Sequence, residues 1–239
     1  MRIRSPGTRN RLLNAIPVAE FLKVVPSLET VEMKKRDPVW QPDSHIPFVY
    51  FPETAMVSVI STMESGSTAE VGVIGCDGMT GIPVLLGARV SPCEAFVQVP
   101  GEVLRMPSQV FQRMVSRNRR AHGLLLRYAY VFLHQISRSA ACNLFHTVRH
   151  RCAKWLLMTW DRVGDTEFEL SQEFLAEMLG SRRAGVADAT LEFKKKGLID
   201  HQYGRIRIRD AEGLKKFACE CYLLIRRDTE RVLNSNARR

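Results

Sequence analysis

From residue 108 to residue 163 the chain carries no proline and a single glycine, Gly123, whereas the segment before it is broken by proline or glycine every few positions. One kind of structure cannot satisfy both textures. An unbroken stretch of this length keeps every backbone donor and favours long helix. The punctuated segment favours short strands joined by tight turns.

The strand-like runs are "VYF" before Pro52, "AMVSVI" (55–60), "AEVGVI" (69–74), "AFVQV" (95–99) and "EVLRM" (102–106). Alternation shows in Val57/Val59, Val71/Val73 and Ala95/Val97/Val99, with Gly66, Gly75, Gly78, Gly81, Gly87 and Gly101 between the runs. Short strands so closely spaced imply an antiparallel sandwich or barrel. Ahead of them, residues 1–27 form a helical lead-in built on Leu12, Leu13, Ile16, Phe21, Leu22 and Val25. The expected class is therefore α+β: an N-terminal antiparallel β-roll of jelly-roll type, a long helix, and a helical C-terminal part.

Within the long helical stretch Leu125, Ala129, Phe132, Ile136, Ser139 and Asn143 recur at spacings of 4, 3, 4, 3 and 4. That is the seam of two packed helices. It is read as a dimer interface, with packing on the chain's own domain as the alternative. A further helix over 147–161 offers Trp155, Leu156 and Met158 to a core.

"SQEFLAEMLGSRRAGVADATLEFKKKGLI" (171–199) reads as two amphipathic helices about a sharp bend. Ser171 is suited to cap the first, whose apolar stripe is Phe174, Leu175, Met178 and Leu179. Gly180 supplies the left-handed turn, and Ser181 is expected to cap the second, with Val186, Ala189, Thr190 and Phe193 inward and an end at Gly197. This is helix-turn-helix spacing. "LIDHQYGRIRIRD" (198–210) then reads as strand, turn at Tyr203-Gly204, strand, with Ile206 and Ile208 on one face and Arg205, Arg207 and Arg209 on the other. Two arginines, Arg182 and Arg183, open the second helix. In such a motif the first turn of that helix approaches base edges, and a guanidinium can bond both acceptors of guanine. Base reading is assigned to Arg183 and phosphate contact to Arg182. Gln172, Ser181, Gly185, Asp188, Lys194, Arg205 and Arg207 complete the expected DNA-facing set.

Composition agrees without deciding. The 239 residues carry a formal charge of +10, which favours a polyanionic partner, nucleic acid ahead of a membrane surface. Residues 170–210 hold eight Lys/Arg against six Asp/Glu, so the DNA reading rests on arrangement. The longest apolar run, 124–133, is interrupted by Arg127 and is too short to span a bilayer, and no leader-like apolar core follows the basic N-terminus. A cytoplasmic location and no membrane partner are expected. The six cysteines include no CxxC. Cys219/Cys221, and Cys142 with His146 and His150 on one helix face, could ligate a metal. The reading taken is small buried residues, with no metal and no cofactor. Phosphate-loop, nucleophile-elbow and zinc-protease patterns are missing, so an enzyme is not expected.

The order of these elements, with "HTVRHRCAKWLL", "LSQEFLAEMLGSRRAGV", "YGRIRI", "VYFPETAMVSVI" and "EVGVIGCDGMTG", resembles the Crp/Fnr family of bacterial transcription regulators over nearly the whole chain. The resemblance implies a cyclic-nucleotide-binding-like sensory roll (1–107), a dimerisation helix region (108–145), a winged helix-turn-helix (146–225) and a basic tail (226–239). It also implies a homodimer on pseudo-palindromic double-stranded DNA, and RNA polymerase as a partner. Arg183 falls where many members keep a guanine-reading arginine, while Ala184 and Asp188 replace a glutamate and a second arginine. A helix break near Asn143 is implied, with His146 capping the next helix.

The effector pocket departs further. Gly81 is followed by Ile82 where cyclic-nucleotide binders keep glutamate, and Cys93-Glu94 stand where arginine and a small residue are expected. Arg89 is the nearest cation. A canonical cyclic-nucleotide site is therefore not expected, and the effector is unknown. The alternative function is a small-molecule-binding module with a vestigial DNA head.

Overall fold

The computed structural model describes residues 7–164 and 167–234. Asn10 opens the first helix: its side-chain oxygen accepts from the Leu13 N–H at 3.0 Å and caps α1 (Arg11–Asn14). Helix α2 (Val18–Val24) follows Pro17, and a 3₁₀ turn (Val25–Ser27) leads into the strands. The roll contains β1 (Glu29–Met33), β2 (Pro38–Trp40), β3 (Phe48–Pro52), β4 (Met56–Thr62), β5 (Thr68–Ile74), a short helix α3 (Ile82–Leu85), β6 (Glu94–Val99) and β7 (Gly101–Pro107). Beyond it run α4 (Ser108–Arg117), α5 (Arg119–Phe145), α6 (Val148–Val163), β8 (Glu167–Glu169), α7 (Gln172–Met178), α8 (Arg183–Lys195), β9 (Ile199–Gln202), β10 (Arg205–Ile208), α9 (Ala211–Lys215) and α10 (Glu220–Leu233).

The roll is two antiparallel sheets, ordered β1-β7-β3 and β2-β6-β4-β5. β4 is buried on both faces, which is why "MVSVI" is apolar nearly throughout. Val57 and Val59 point into the roll, where Val49, Phe51, Val97, Val103 and Met106 meet Leu124, Leu125 and Tyr128 of α5. Met56 and Ile60 point the other way, into a second core shared with Leu156 and Leu157 of α6 and Phe174 and Leu175 of α7. The C-terminal part thus packs directly on the roll of its own chain.

Polar links cross that junction. The Arg162 guanidinium of α6 pairs with Asp77 at 2.9 Å and donates to the Met158 carbonyl at 3.0 Å and to Gln135 Oε1 of α5 at 3.3 Å. Gln135 in turn donates to the Val73 carbonyl at 3.0 Å. Arg162 lies flat on the backbone of Gly75, where a Cβ would come within 2.5 Å of its side chain. Nearby, Trp155 Nε1 donates to Glu70 Oε1 at 2.9 Å and Ser58 Oγ donates to Glu70 Oε2 at 2.7 Å. Ser58 also meets the Gln98 amide. Burial pushes the Glu70 carboxyl up from 4.5 to about 7, and when protonated it can donate to Ser58.

The structure departs from the sequence reading at both ends of the long helices. Asn118 separates α4 from α5, its side chain accepting from Ala121 N–H at 3.0 Å. α10 runs through residue 226, where a tail was expected to begin, and Val232 reaches the roll core. Residues 235–239 of that tail lie outside the described residues.

The seam expectation needs a larger correction. Leu125 and Ala129 are buried inside the chain, and Phe132 rests against Gly72 of β5. Ile136 and Ser139 are half-buried and Asn143 is exposed. The outward row lies one residue later: Leu126, Tyr130, Leu133, Ser137, Ala140 and Leu144, all exposed, at spacings of 4, 3, 4, 3 and 4.

Two measurements check the junction. Folding raises the Glu70 carboxyl, so its contribution to stability is complete below about pH 4.5 and is lost as pH passes about 7. Glu70→Gln, which can donate to Ser58 and accept from Trp155, should match the parent near pH 5. It should exceed the parent by roughly 2 kcal/mol near pH 8 in urea unfolding. Asp77→Ala leaves Arg162 buried and unpaired and should cost about 3–5 kcal/mol in the same assay.

Candidate nucleic-acid interface

Ser171 caps α7, its Oγ accepting from Phe174 N–H at 3.1 Å. The helix ends in a Schellman turn: Gly180 N–H donates to the Glu177 carbonyl at 3.0 Å and Ser181 N–H to the Ala176 carbonyl at 2.9 Å. Gly180, at φ 52°, supplies the left-handed residue the turn requires. Ser181 is thereby spent on closing α7. Contrary to the sequence reading it does not cap α8, whose N-cap is Arg182. Val186, Ala189, Thr190 and Phe193 face inward as expected.

The outward side of α8 begins with Arg182, Arg183 and Ala184 and continues through Asp188, Leu191 and Lys194, all exposed. Two of the expected contact residues also have partners within the chain. Gly185 packs on Val148 of α6, and the Gln172 amide donates to Thr190 Oγ1 at 3.3 Å. Leu191 is the residue the sequence reading passed over. It is a large apolar side chain left 52% exposed about two turns beyond Arg183.

β9 and β10 form the wing, with β8 on the other edge of β10. Tyr203 and Gly204 both take positive φ, 50° and 72°, as a tight hairpin turn demands. Tyr203 stands fully exposed at the tip. Ile206 and Ile208 are buried, and Arg205, Arg207 and Arg209 are turned outward.

These cations are matched within the chain. Arg183 pairs with Glu173 of α7 at 2.8 Å, Arg205 with Glu167 at 2.8 Å, and Arg207 shares Glu167. Arg209 meets Asp200 at 2.6 Å. Lys194 donates to the His201 carbonyl at 3.3 Å, tying α8 to the wing. The exposed pairs are each worth only about 0.2–1 kcal/mol, so a phosphate can displace the carboxylates.

In the roll, the expected pocket residues do not form a polar site. Ile82, Leu85 and Cys93 pack with Val84 on the apolar core. Gly81, at φ 77°, lies where a Cβ would strike Val49 at 2.4 Å, so it serves packing. Glu94 is half-buried in β6, opposite Ile60 of β4. Arg89 is exposed at the rim of a separate cleft of about 490 Å³, beside His45, Gln112 and Arg113.

The model of the cyclic nucleotide-binding domain matches residues 30–118, and that of the Crp-like helix-turn-helix domain matches residues 150–217. Together they take in well over half of the sequence, in this order. The chain belongs to the Crp/Fnr family of transcriptional regulators. Its fold is that of a CRP-family regulator from Thermus thermophilus, at 16% identity and TM-score 0.65, covering 79% of this chain and 96% of the other. It is similarly related to FixK2 from Bradyrhizobium japonicum, at 12% identity and TM-score 0.64, covering 80% and 98%. The c-di-GMP responsive global regulator CLP of Xanthomonas campestris aligns at 15% identity and TM-score 0.60, covering 80% and 99%. No curated protein sequence matches significantly. Among the described residues, no helix of this Crp/Fnr protein is long and apolar enough to cross a membrane.

The ion pair at the head of α8 yields a direct test. Glu173→Gln releases Arg183 and should tighten DNA binding about two- to fivefold at low salt, with the gain shrinking as salt rises. Gel-shift titrations at two ionic strengths measure it.

Proposed function

We propose that the chain regulates transcription as a homodimer, its two α8 helices entering successive major grooves of a pseudo-palindromic site. The observation that carries this reading is the first turn of α8, where Arg182 and Arg183 project into solvent from a rigidly closed turn. In this reading Arg183 exchanges Glu173 for a guanine edge and Arg182 takes a phosphate. Leu191 is placed to meet a thymine methyl, and Asp188 to accept from a cytosine amino group or to repel backbone. Arg205 and Arg207 of the wing exchange Glu167 for phosphates.

The second subunit is supplied by the outward row of α5. Leu126, Tyr130, Leu133 and Leu144 are 41–76% exposed in the single chain, too much apolar surface for a helix at this spacing to leave in water. The dimer seam is therefore assigned to this row and not to the buried Leu125 and Ala129.

The roll is read as working without a canonical cyclic-nucleotide contact. Its would-be pocket is filled by Ile82, Val84 and Leu85, and a phosphate there would lack a guanidinium partner.

Selection of bound duplexes from a random pool by the full chain tests the proposal. Two half-sites with centres roughly 34 Å apart should emerge, unchanged by added cyclic AMP, cyclic GMP or c-di-GMP. No enriched sequence would end the reading, and a site that appears only with one nucleotide would overturn the account of the roll. Leu133→Glu should stay folded, sediment as a monomer and lose at least tenfold in affinity for the selected site. A Leu133→Glu dimer would place the seam elsewhere.

A further inference from the structure

Cys142 stands in the last turn of α5, and the chain leaves the helix at His146, which is extended at φ −110° and ψ 142°. His146 is thus the C-cap of α5. Thr147, not His146, caps α6, its Oγ accepting from His150 N–H at 3.4 Å. The His146 N–H still donates to the Cys142 carbonyl at 3.0 Å, so the two side chains stay together. From 77 residues downstream comes Cys219. It is the N-cap of α10, a position normally held by an oxygen side chain, and its thiol makes no capping bond. Cys221 follows in the first turn. His150, on the other hand, only sets its ring edge-on to that of His146, 6.3 Å between centroids.

The four groups converge. Cys142 Sγ and Cys219 Sγ are 3.5 Å apart, Cys221 Sγ and His146 Nδ1 are 3.9 Å apart, and all four atoms lie within 4.8 Å of one another. A tetrahedral zinc with Zn–S near 2.3 Å has ligand atoms about 3.8 Å apart, so the set needs only a small contraction. The three cysteines are buried and form a cluster apart from both apolar cores, where small buried hydrophobes would instead be packed among aliphatic neighbours. His146 is also oriented: its Nε2 lies 3.2 Å from Glu220 Oε2, which leaves Nδ1 facing the thiols. A carboxylate on the far nitrogen is the usual support of a metal-bound imidazole.

We propose that Cys142, His146, Cys219 and Cys221 bind one zinc ion in a closed structural site that fastens the end of α5 to the start of α10. Three thiolates and an imidazole in a tetrahedron are zinc's ligand set. An iron–sulfur cluster spreads its ligands over separate irons and does not fit donors this close. The metal replaces the thiol protons and leaves no open position for substrate, so its work is mechanical: it holds the hinge where α5 passes into α6 against the C-terminal helix. This holds whether or not the chain reads DNA as proposed above.

The full untagged chain, purified under reducing conditions without chelator, should contain about one zinc per chain by elemental analysis. Replacing zinc with Co²⁺ should give thiolate charge-transfer bands and the intense visible bands of a tetrahedral ion. Cys142→Ser and Cys221→Ser should each lose the metal and the bands, while Cys152→Ser keeps both. Glu220→Gln should keep the metal but weaken it about 10- to 100-fold in chelator competition. Parent protein with its thiols reduced that holds no zinc and gives no cobalt bands would overturn the proposal. A Cys142–Cys219 disulfide in metal-free protein would do the same. Both of these readings are made on the parent, so they stand even if a variant fails to fold.

Discussion

The arrangement of this molecule depends on a buried ion pair, Arg162 with Asp77. The two side chains are 7% and 12% exposed, and the guanidinium also satisfies a carbonyl of its own helix and the Gln135 amide of α5. Three parts of the chain therefore meet at one charge: the loop after β5, the long helix, and the first helix of the DNA-binding head. A buried pair of this kind contributes little net stability once desolvation is counted, but breaking it is costly. Its consequence is geometric. Arg162 reaches Asp77 across Gly75, where a Cβ would clash with its side chain, so this ion pair fixes α6, and the helix-turn-helix built on it, close against the roll.

Other contacts hold the head on the same side. Arg36, in the turn between β1 and β2, sits 4.8 Å from the Phe96 ring and 4.9 Å from the Phe174 ring, and pairs with Glu177 at 2.7 Å. It does so from a left-handed backbone, φ 72°, which a non-glycine residue adopts at some cost. The Glu70–Trp155 bond makes a third attachment. An effector that moved the head would need enough differential affinity to break these together. The titration of Glu70 belongs to that junction, because the carboxyl that holds Trp155 is buried and pushed up to about 7.

The sequence was most informative where one local pattern had one solution. Gly180 between two apolar stripes could only be a turn, and Tyr203-Gly204 between alternating strands could only be a hairpin. The wing isoleucines and arginines fell on the expected faces. It was least informative where two patterns shared one period. On α5 the rows beginning at Leu125 and Leu126 both run 4, 3, 4, 3, 4, and both are largely apolar. Which row faces inward is decided by the roll, where Gly72 makes room for Phe132. β1 and β2 were missed because they are short and carry charged or proline residues on exposed edges. Arg162 and Asp77 lie 85 residues apart in the sequence and carry no motif. The Cys/His cluster was hidden for the same reason, since its two halves come from separate helix ends and only their packing unites them.

α5 consequently does three jobs with three surfaces. Its inner face, through Leu124, Leu125 and Tyr128, completes the roll core. Its outer face carries the row assigned to the dimer. Its last turn delivers Cys142 and His146 to α10, which also packs along α5 and returns Val232 to the roll core. A helix held on all three sides cannot bend at one point without loading the others. In that arrangement a shift in the roll would act on α5 through its inner face, against the two attachments proposed for its outer face and its last turn. The proposed zinc would hold the far end of α5 against α10, at the point where the chain turns into α6.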